Sequence, residues 1–206
     1  MKPMNYYLIG SPCCGKSTLA RALSQRYGLP HVCCDDFETP FLDRGERQGV
    51  EAVRRLAQRL RGGRDDMWLR PSETLLRDEL AYYEATFEWL MEAQEEMPAP
   101  VIAEGAALLP WRLAARGVPA RQVICMTPTR RFQREQYARR EWVAPFLAPC
   151  SDPDRAFANW MDRDERFALL VAQGAHRAGY PHGLVDGGRN LEQTLEWAEK
   201  LLNLAP

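Results

Sequence analysis

No stretch of this sequence approaches the roughly 18 consecutive apolar residues that a membrane-spanning helix needs. Nor does Met1-Lys2-Pro3-Met4 open an apolar leader, since it runs straight into a strand-like segment. The two absences together point to the cytoplasm. Zinc-type C-x-x-C spacing is also missing. Of six cysteines, four form the adjacent pairs Cys13-Cys14 and Cys33-Cys34, which bridge each other poorly. They read as small, reduced, semi-buried side chains. A basic excess is absent too: the formal net charge is −1, which argues against a broad nucleic-acid-binding face. Internal repeats and low-complexity linkers do not occur. The 206 residues therefore fit one domain, spanning 1–206. Apolar residues at 46% and charged residues at 27% suit a soluble globular core that needs no disulfide staples.

Periodicity supplies the element order. Asn5–Ile9 is a short apolar run ending at a glycine, as in a buried strand. Ser17–Tyr27 carries Leu19, Ala20, Leu23 and Tyr27 at helical spacing until Gly28 and Pro30 stop it. His31–Cys34 is a second strand, completing a βαβ unit. The next sixty or so residues read as helical, with Val50–Leu60 followed by a long helix from about Ser72 to Glu96. Its expected buried face is Leu76, Leu80, Tyr83, Phe87, Leu90 and Met91. Further strands are expected at Val101–Ala103, Gln122–Met126 and Gly183–Val185. Helices are expected from Pro128, from Asp152-Pro153 and after Asn190, where Gln193 completes a capping box. Strands separated by helices indicate an α/β fold: a parallel sheet covered on both faces.

Gly10-Ser11-Pro12-Cys13-Cys14-Gly15-Lys16-Ser17 satisfies G-x-x-x-x-G-K-[ST] in full, with Thr18 following. Its glycines let the backbone turn tightly so that N–H groups point inward at phosphate oxygens. Lys16 would span the β- and γ-phosphates, and the Ser17 hydroxyl would bind Mg²⁺. The helix that starts there aims its positive end at the same anion. ATP and Mg²⁺ are thus the expected cofactors.

Phosphoryl transfer also needs an acid near Mg²⁺ and usually a base for the acceptor hydroxyl. Asp35-Asp36-Phe37 follows the second strand, with Asp35 as the favoured base and Asp36 as the alternative. Glu104-Gly105 follows the third strand in the Walker-B arrangement, which puts Glu104 beside the metal. Between Thr127 and Pro145 lie Arg130, Arg131, Arg134, Arg139 and Arg140. Such a cluster can offset charge on the transferring phosphoryl group. Arg134 and Arg139 lead as catalytic candidates, ahead of Arg163 and Arg166. An N-K-x-D guanine motif and a D-x-x-G switch motif are both missing, which excludes a GTPase switch.

On Gly10–Thr18, Asp35-Asp36-Phe37, Glu104-Gly105 and the arginine-rich 130–140 segment, the chain resembles the P-loop nucleoside, nucleotide and small-molecule kinases. That group includes adenylate, shikimate and uridine kinases and chloramphenicol phosphotransferase. Val185-Asp186-Gly187 looks like the family's last strand and adenine-side loop. The resemblance implies a three-layer fold with a five-stranded parallel sheet in the order 2-3-1-4-5. It also implies a helical acceptor-binding insertion at 38–98 and an arginine-bearing lid at about 128–165. The implied activity is Mg²⁺-assisted transfer from ATP to the hydroxyl or phosphate of a small-molecule acceptor. The alternative is an ATP-binding regulatory module that hydrolyses slowly. No acceptor signature stands in the insertion, and neither a membrane nor a nucleic acid is expected as partner.

Overall fold

The computed structural model describes residues 4–98 and 100–204, so Met1–Pro3 of the N-terminal reading and the last two residues of the 1–206 domain lie outside it. Five strands form one sheet: β1 (Tyr6–Gly10), β2 (His31–Cys33), β3 (Ile102–Gly105), β4 (Val123–Pro128) and β5 (His182–Val185). Their order is β2-β3-β1-β4-β5 and every pairing is parallel, the topology that the resemblance implies. Among the described residues, no helix is long and apolar enough to cross a membrane.

Side-chain alternation on β1 explains the three layers. Tyr7 and Ile9 point to one face and Tyr6 and Leu8 to the other, and all four are buried. On the Tyr6 side, α1 (Lys16–Tyr27) and α10 (Leu191–Leu202) bury Leu19, Leu23, Leu195 and Leu202. On the Tyr7 side pack α5 (Ser72–Glu95), α6 (Pro110–Ala115) and α9 (Pro153–Arg177). Each fully buried Leu or Ile in these layers contributes about 2 kcal/mol of apolar transfer. Between β2 and β3 the chain is helical, with α2 (Glu38–Gln48), α3 (Glu51–Gly62) and α4 (Arg64–Trp68) preceding α5. Helices α7 (Arg130–Ala138) and α8 (Val143–Leu147) follow β4.

Two local expectations change. The helix expected from Pro128 begins two residues later. Pro128 closes β4 opposite Val185, and the Thr129 hydroxyl caps α7 by accepting from the Phe132 N–H. The buried face of α5 is also broader than its apolar stripe. Tyr82, Thr86 and Trp89 are buried, whereas Leu76, Leu80 and Tyr83 are half-buried. The helix is covered on two sides, by α3 and by α9, so a single stripe cannot describe it. Asp152 and Asn190 cap α9 and α10 as expected, the latter with a complete capping box through Gln193.

A buried charge network ties α5, α7 and α9 together. Arg163 on α9 lies 3.0 Å from Glu79 of α5 and 2.6 Å from its neighbour Asp164. Tyr83 donates to Glu79 at 3.0 Å, and Tyr137 of α7 donates to Asp164 at 3.0 Å. Trp68 of α4 stacks on Trp160 at 4.7 Å, and the Arg163 guanidinium lies over Trp68 at 5.3 Å. Burial raises the Glu79 carboxyl to about 7, with Arg163 opposing and Asp164 adding to the rise.

Two consequences for stability can be measured. A Cβ on Gly45 of α2 would sit 2.4 Å from Cγ1 of the fully buried Val53 of α3. Gly45→Ala is expected to destabilise by about 1–3 kcal/mol through overpacking, despite alanine's better helix propensity. Chemical denaturation of Gly45→Ala, Val53→Ala and the double variant should then show a rescue beyond additivity. The raised Glu79 makes the folded state bind its proton more tightly than the unfolded chain does. That contribution is full below the ordinary carboxylate pKa of about 4.5 and is lost as pH rises to about 7. Urea titrations across this window should show stability falling more steeply with pH in the parent than in Glu79→Gln.

Candidate active site

Parallel register levels the carboxyl ends of β2, β3 and β1. Ile9 pairs with Gly105, Leu8 with Glu104, and Glu104 with Cys33. The loop after β1, the turn after β2 and the Glu104-Gly105 pair therefore leave the sheet at one edge, where ligands of open parallel sheets bind.

The loop after β1 is held by its own backbone. Gly10 has φ +124°, and a Cβ there would lie 1.8 Å from the Met126 carbonyl oxygen, so only glycine fits. Gly15 is left-handed at φ +83° and sets the start of α1. Cys13 is a non-glycine residue at φ +63°. Lys16 is buried and donates from Nζ to the Ser11 carbonyl at 2.7 Å, which also accepts from the Cys14 thiol at 3.0 Å. Burial alone would lower the Lys16 ammonium, but neighbouring Cys14, Glu104 and Asp35 outweigh it and the net direction is upward. The Cys14 thiol is itself raised by burial, so Glu104 and Asp35 are the charges that act on Lys16 at neutral pH.

Glu104 is 2% exposed, and its Oε1 has no hydrogen-bond partner. His31 Nε2 stands 3.7 Å away, beyond hydrogen-bond reach. A buried carboxylate oxygen left unpaired costs free energy unless a ligand completes it. Ser17 is half-buried on the first turn of α1. No cluster of three or more His, Cys, Asp or Glu that could hold a metal alone occurs among the described residues. That donor set suits Mg²⁺, which takes one or two protein oxygens and completes its shell with phosphates and water. Asp35 and Asp36 lie on the 3-10 turn Cys34–Phe37, both reached by solvent. Desolvation by the crevice wall and then the charge of Glu104 raise the Asp35 carboxyl.

Two cavities flank this edge. The first, about 600 Å³, is lined by Cys13–Gly15 and Thr18, by Phe132 and Arg140 of the segment after β4, and by Val185–Leu191 and Trp197. The second, about 310 Å³, lies between the helical segment that joins β2 to β3 and helices α8 and α9, and includes Glu38, Trp68, Glu79, Tyr82 and Arg163. The charge of Asp35 is felt on both sides. It raises Lys16 and also acts on Glu38, Glu79, Tyr82 and Tyr83 of the second cavity.

Not every residue singled out in the sequence lines these spaces. Arg134 is half-buried on α7 and Arg139 is its exposed C-terminal cap, and neither lines either cavity. Arg140 lines the first, its guanidinium over Tyr137 at 4.8 Å, and Arg163 lines the second. Arg166 is exposed and pairs with Glu73 and Asp162. Glu79, Arg64 and Trp197 carry no local motif, so their part in the cavities emerges only from long-range packing.

A model of the AAA domain matches residues 5–66, the stretch from β1 through the loop and α1 into α4. No curated protein matches the chain. Among solved structures, it superimposes on shikimate kinase from Bacteroides thetaiotaomicron with a TM-score of 0.59. Identity there is 16%, over 98% of this chain and 99% of that one. It also superimposes on TT1252 from Thermus thermophilus with a TM-score of 0.55 at 18% identity, over the whole of both chains. With the five-stranded 2-3-1-4-5 sheet and the loop at the end of β1, these likenesses give the chain the fold of the P-loop kinases.

Proposed function

We propose that this protein transfers the γ-phosphoryl group of ATP to the hydroxyl or phosphate of a small-molecule acceptor, assisted by Mg²⁺. The observation that carries the reading is the register of β1, β3 and β2, which brings the phosphate loop, the buried Glu104 with its unpartnered Oε1 and the Asp35 turn to one edge of the sheet. A carboxylate on that turn is suited to stand between a donor phosphate and an acceptor.

In this reading the first cavity takes the nucleotide. Loop amides of Gly10–Thr18 and the N-terminus of α1 cradle the phosphates. Lys16 leaves the Ser11 carbonyl for phosphate oxygens, which return a stronger, charge-assisted partner. Arg140 supplies further positive charge from the segment after β4, a part that the sequence assigns to Arg134 and Arg139. Ser17 and Glu104 hold Mg²⁺, which when bound neutralises charge on the phosphates. Asp35 receives the acceptor hydroxyl's proton. Its raised carboxyl makes it a better base than an ordinary aspartate. Asp36, whose charge is only a small influence on Asp35, is the alternative. Glu38 at the second cavity's mouth is raised by burial and by Asp35. The 38–98 segment is then the acceptor-binding insertion and 128–165 the lid.

Two variants separate these roles. Lys16→Ala is expected to weaken ATP binding on the order of 10–100-fold, read by calorimetry. Unchanged affinity and turnover would remove the loop from the mechanism. Asp35→Asn is expected to bind ATP normally and lose roughly 10²–10⁴-fold in transfer rate. Normal turnover in that variant moves the base to Asp36. Both are read in an ATP-consumption screen over nucleosides, sugars, aminoglycosides and shikimate, the last suggested by the neighbour's name. Slow hydrolysis that no acceptor stimulates would instead support a regulatory ATP-binding module.

A further inference from the structure

The second cavity is unevenly charged, and the imbalance points to what it takes. Its lining carries four arginines, Arg59, Arg64, Arg70 and Arg163, against three acids, Glu38, Asp78 and Glu79. Arg59 and Arg70 share a single carboxylate, Asp78, the Arg70 contact being 2.6 Å. Arg64 stacks over Phe146 at 3.9 Å and forms no ion pair among the described residues. Arg163 is committed as well, to Glu79 and Asp164. Of the four guanidiniums only Arg64 has no carboxylate partner among the described residues.

Unpartnered polar atoms add a second, independent sign. Trp68 is 6% exposed and lines the cavity, yet its Nε1–H has no acceptor. Arg163 Nε–H lacks an acceptor as well, and Glu79 Oε2 lacks a donor. Buried polar groups of this kind are rarely left unsatisfied. A ligand that completes them must present hydrogen-bond acceptors to Trp68 and Arg163 and a donor to Glu79. A cationic donor is disfavoured because Arg163 sits 3.0 Å from Glu79. A hydroxyl meets the requirement.

We infer that the second cavity binds a hydroxylated anion, its carboxylate or phosphate paired with Arg64 and a hydroxyl read by Glu79. This rests on the acceptor reading given above. Arg64 is the specificity-determining residue, because it alone of the four guanidiniums has its charge uncommitted among the described residues. Fixed guanidinium forks suit either carboxylate or phosphate oxygens. The volume of about 310 Å³ is at the small end of ligand pockets and fits one ring rather than a nucleoside. The rise of Glu79 to about 7 strengthens the positive excess below neutrality. Burial sets that rise; Arg163 on α9 and the hydrogen bond from Tyr83 on α5 oppose it, and Asp164 on α9 and Asp35 on the turn after β2 add to it.

The test is binding, kept apart from turnover. With saturating MgADP on the phosphate loop, calorimetry would compare gluconate, quinate and glucose 6-phosphate with glucose and inositol. At least one anion is expected to bind, and tighter than the neutral compounds by tenfold or more. The two carboxylates against the sugar phosphate identify which anionic group the site prefers. Arg64→Ala should weaken that anion at least tenfold, and Arg64→Lys should recover part of the loss. MgADP affinity serves as the control for folding. Equal or better binding of a neutral compound, no binding by any anion, or an Arg64→Ala variant with unchanged affinity would overturn the inference. Transfer to a neutral acceptor would refute it and leave the kinase reading standing. Anion binding without any transfer would do the reverse.

Discussion

In a parallel sheet every strand leaves on the same side, so the polar exits of the chain collect at one edge and the apolar body of the sheet stays behind them. Here the pairing of Ile9 with Gly105 and of Glu104 with Cys33 brings three exits level. One glycine loop and two acidic turns then share a space that none of them could form alone. A shift of one residue in β3 would send Glu104 to the opposite face and leave an apolar side chain beside Lys16. The site's electrostatics therefore depend on register before any side chain is considered.

The second dependence is on α9. This helix carries Trp160, Arg163 and Asp164, and through them it holds α4, α5 and α7 in one cluster. An arginine buried between two carboxylates is not an efficient source of stability, since desolvation offsets much of the attraction. Its value here is placement. The network fixes where the insertion and the segment after β4 sit relative to the edge, so both cavities have defined walls.

Local signals made much of this legible. The phosphate loop is contiguous, and its glycines and lysine act through the backbone of a single turn. Strand and helix periodicity located the sheet and the capped helices because burial on one face imposes a period. Where a second packing partner intervened, periodicity failed, as for α5 between α3 and α9. Pro128 misled because a proline fits the end of a strand as well as the start of a helix, and Thr129 decided between them. The cavities were the least legible part. Density of arginine in the sequence favours Arg134 and Arg139, whereas burial selects Arg163 and cavity lining selects Arg140 and Arg64. Those distinctions arise from contacts between segments far apart in the chain, which spacing cannot express.

The choice between the two basic side chains supports the same division of labour. Lys2, Lys16 and Lys200 are the only lysines, and every other cation besides histidine is arginine. Lys16 is enclosed by the tight turn, its Nζ donating to the Ser11 carbonyl and to the Cys14 sulfur. A compact ammonium on a flexible stem can fill that space and then swing to a phosphate, whereas a planar fork cannot turn within it. Arginine serves where one cation must lie on a ring or bridge a carboxylate, as Arg64 does over Phe146 and Arg70 does with Asp78. On the proposed function, the lysine is the mobile contact of the site and the arginines are its fixed walls. An acceptor recognised by those walls would meet a preset geometry, while the phosphates would be met by a group that has to move.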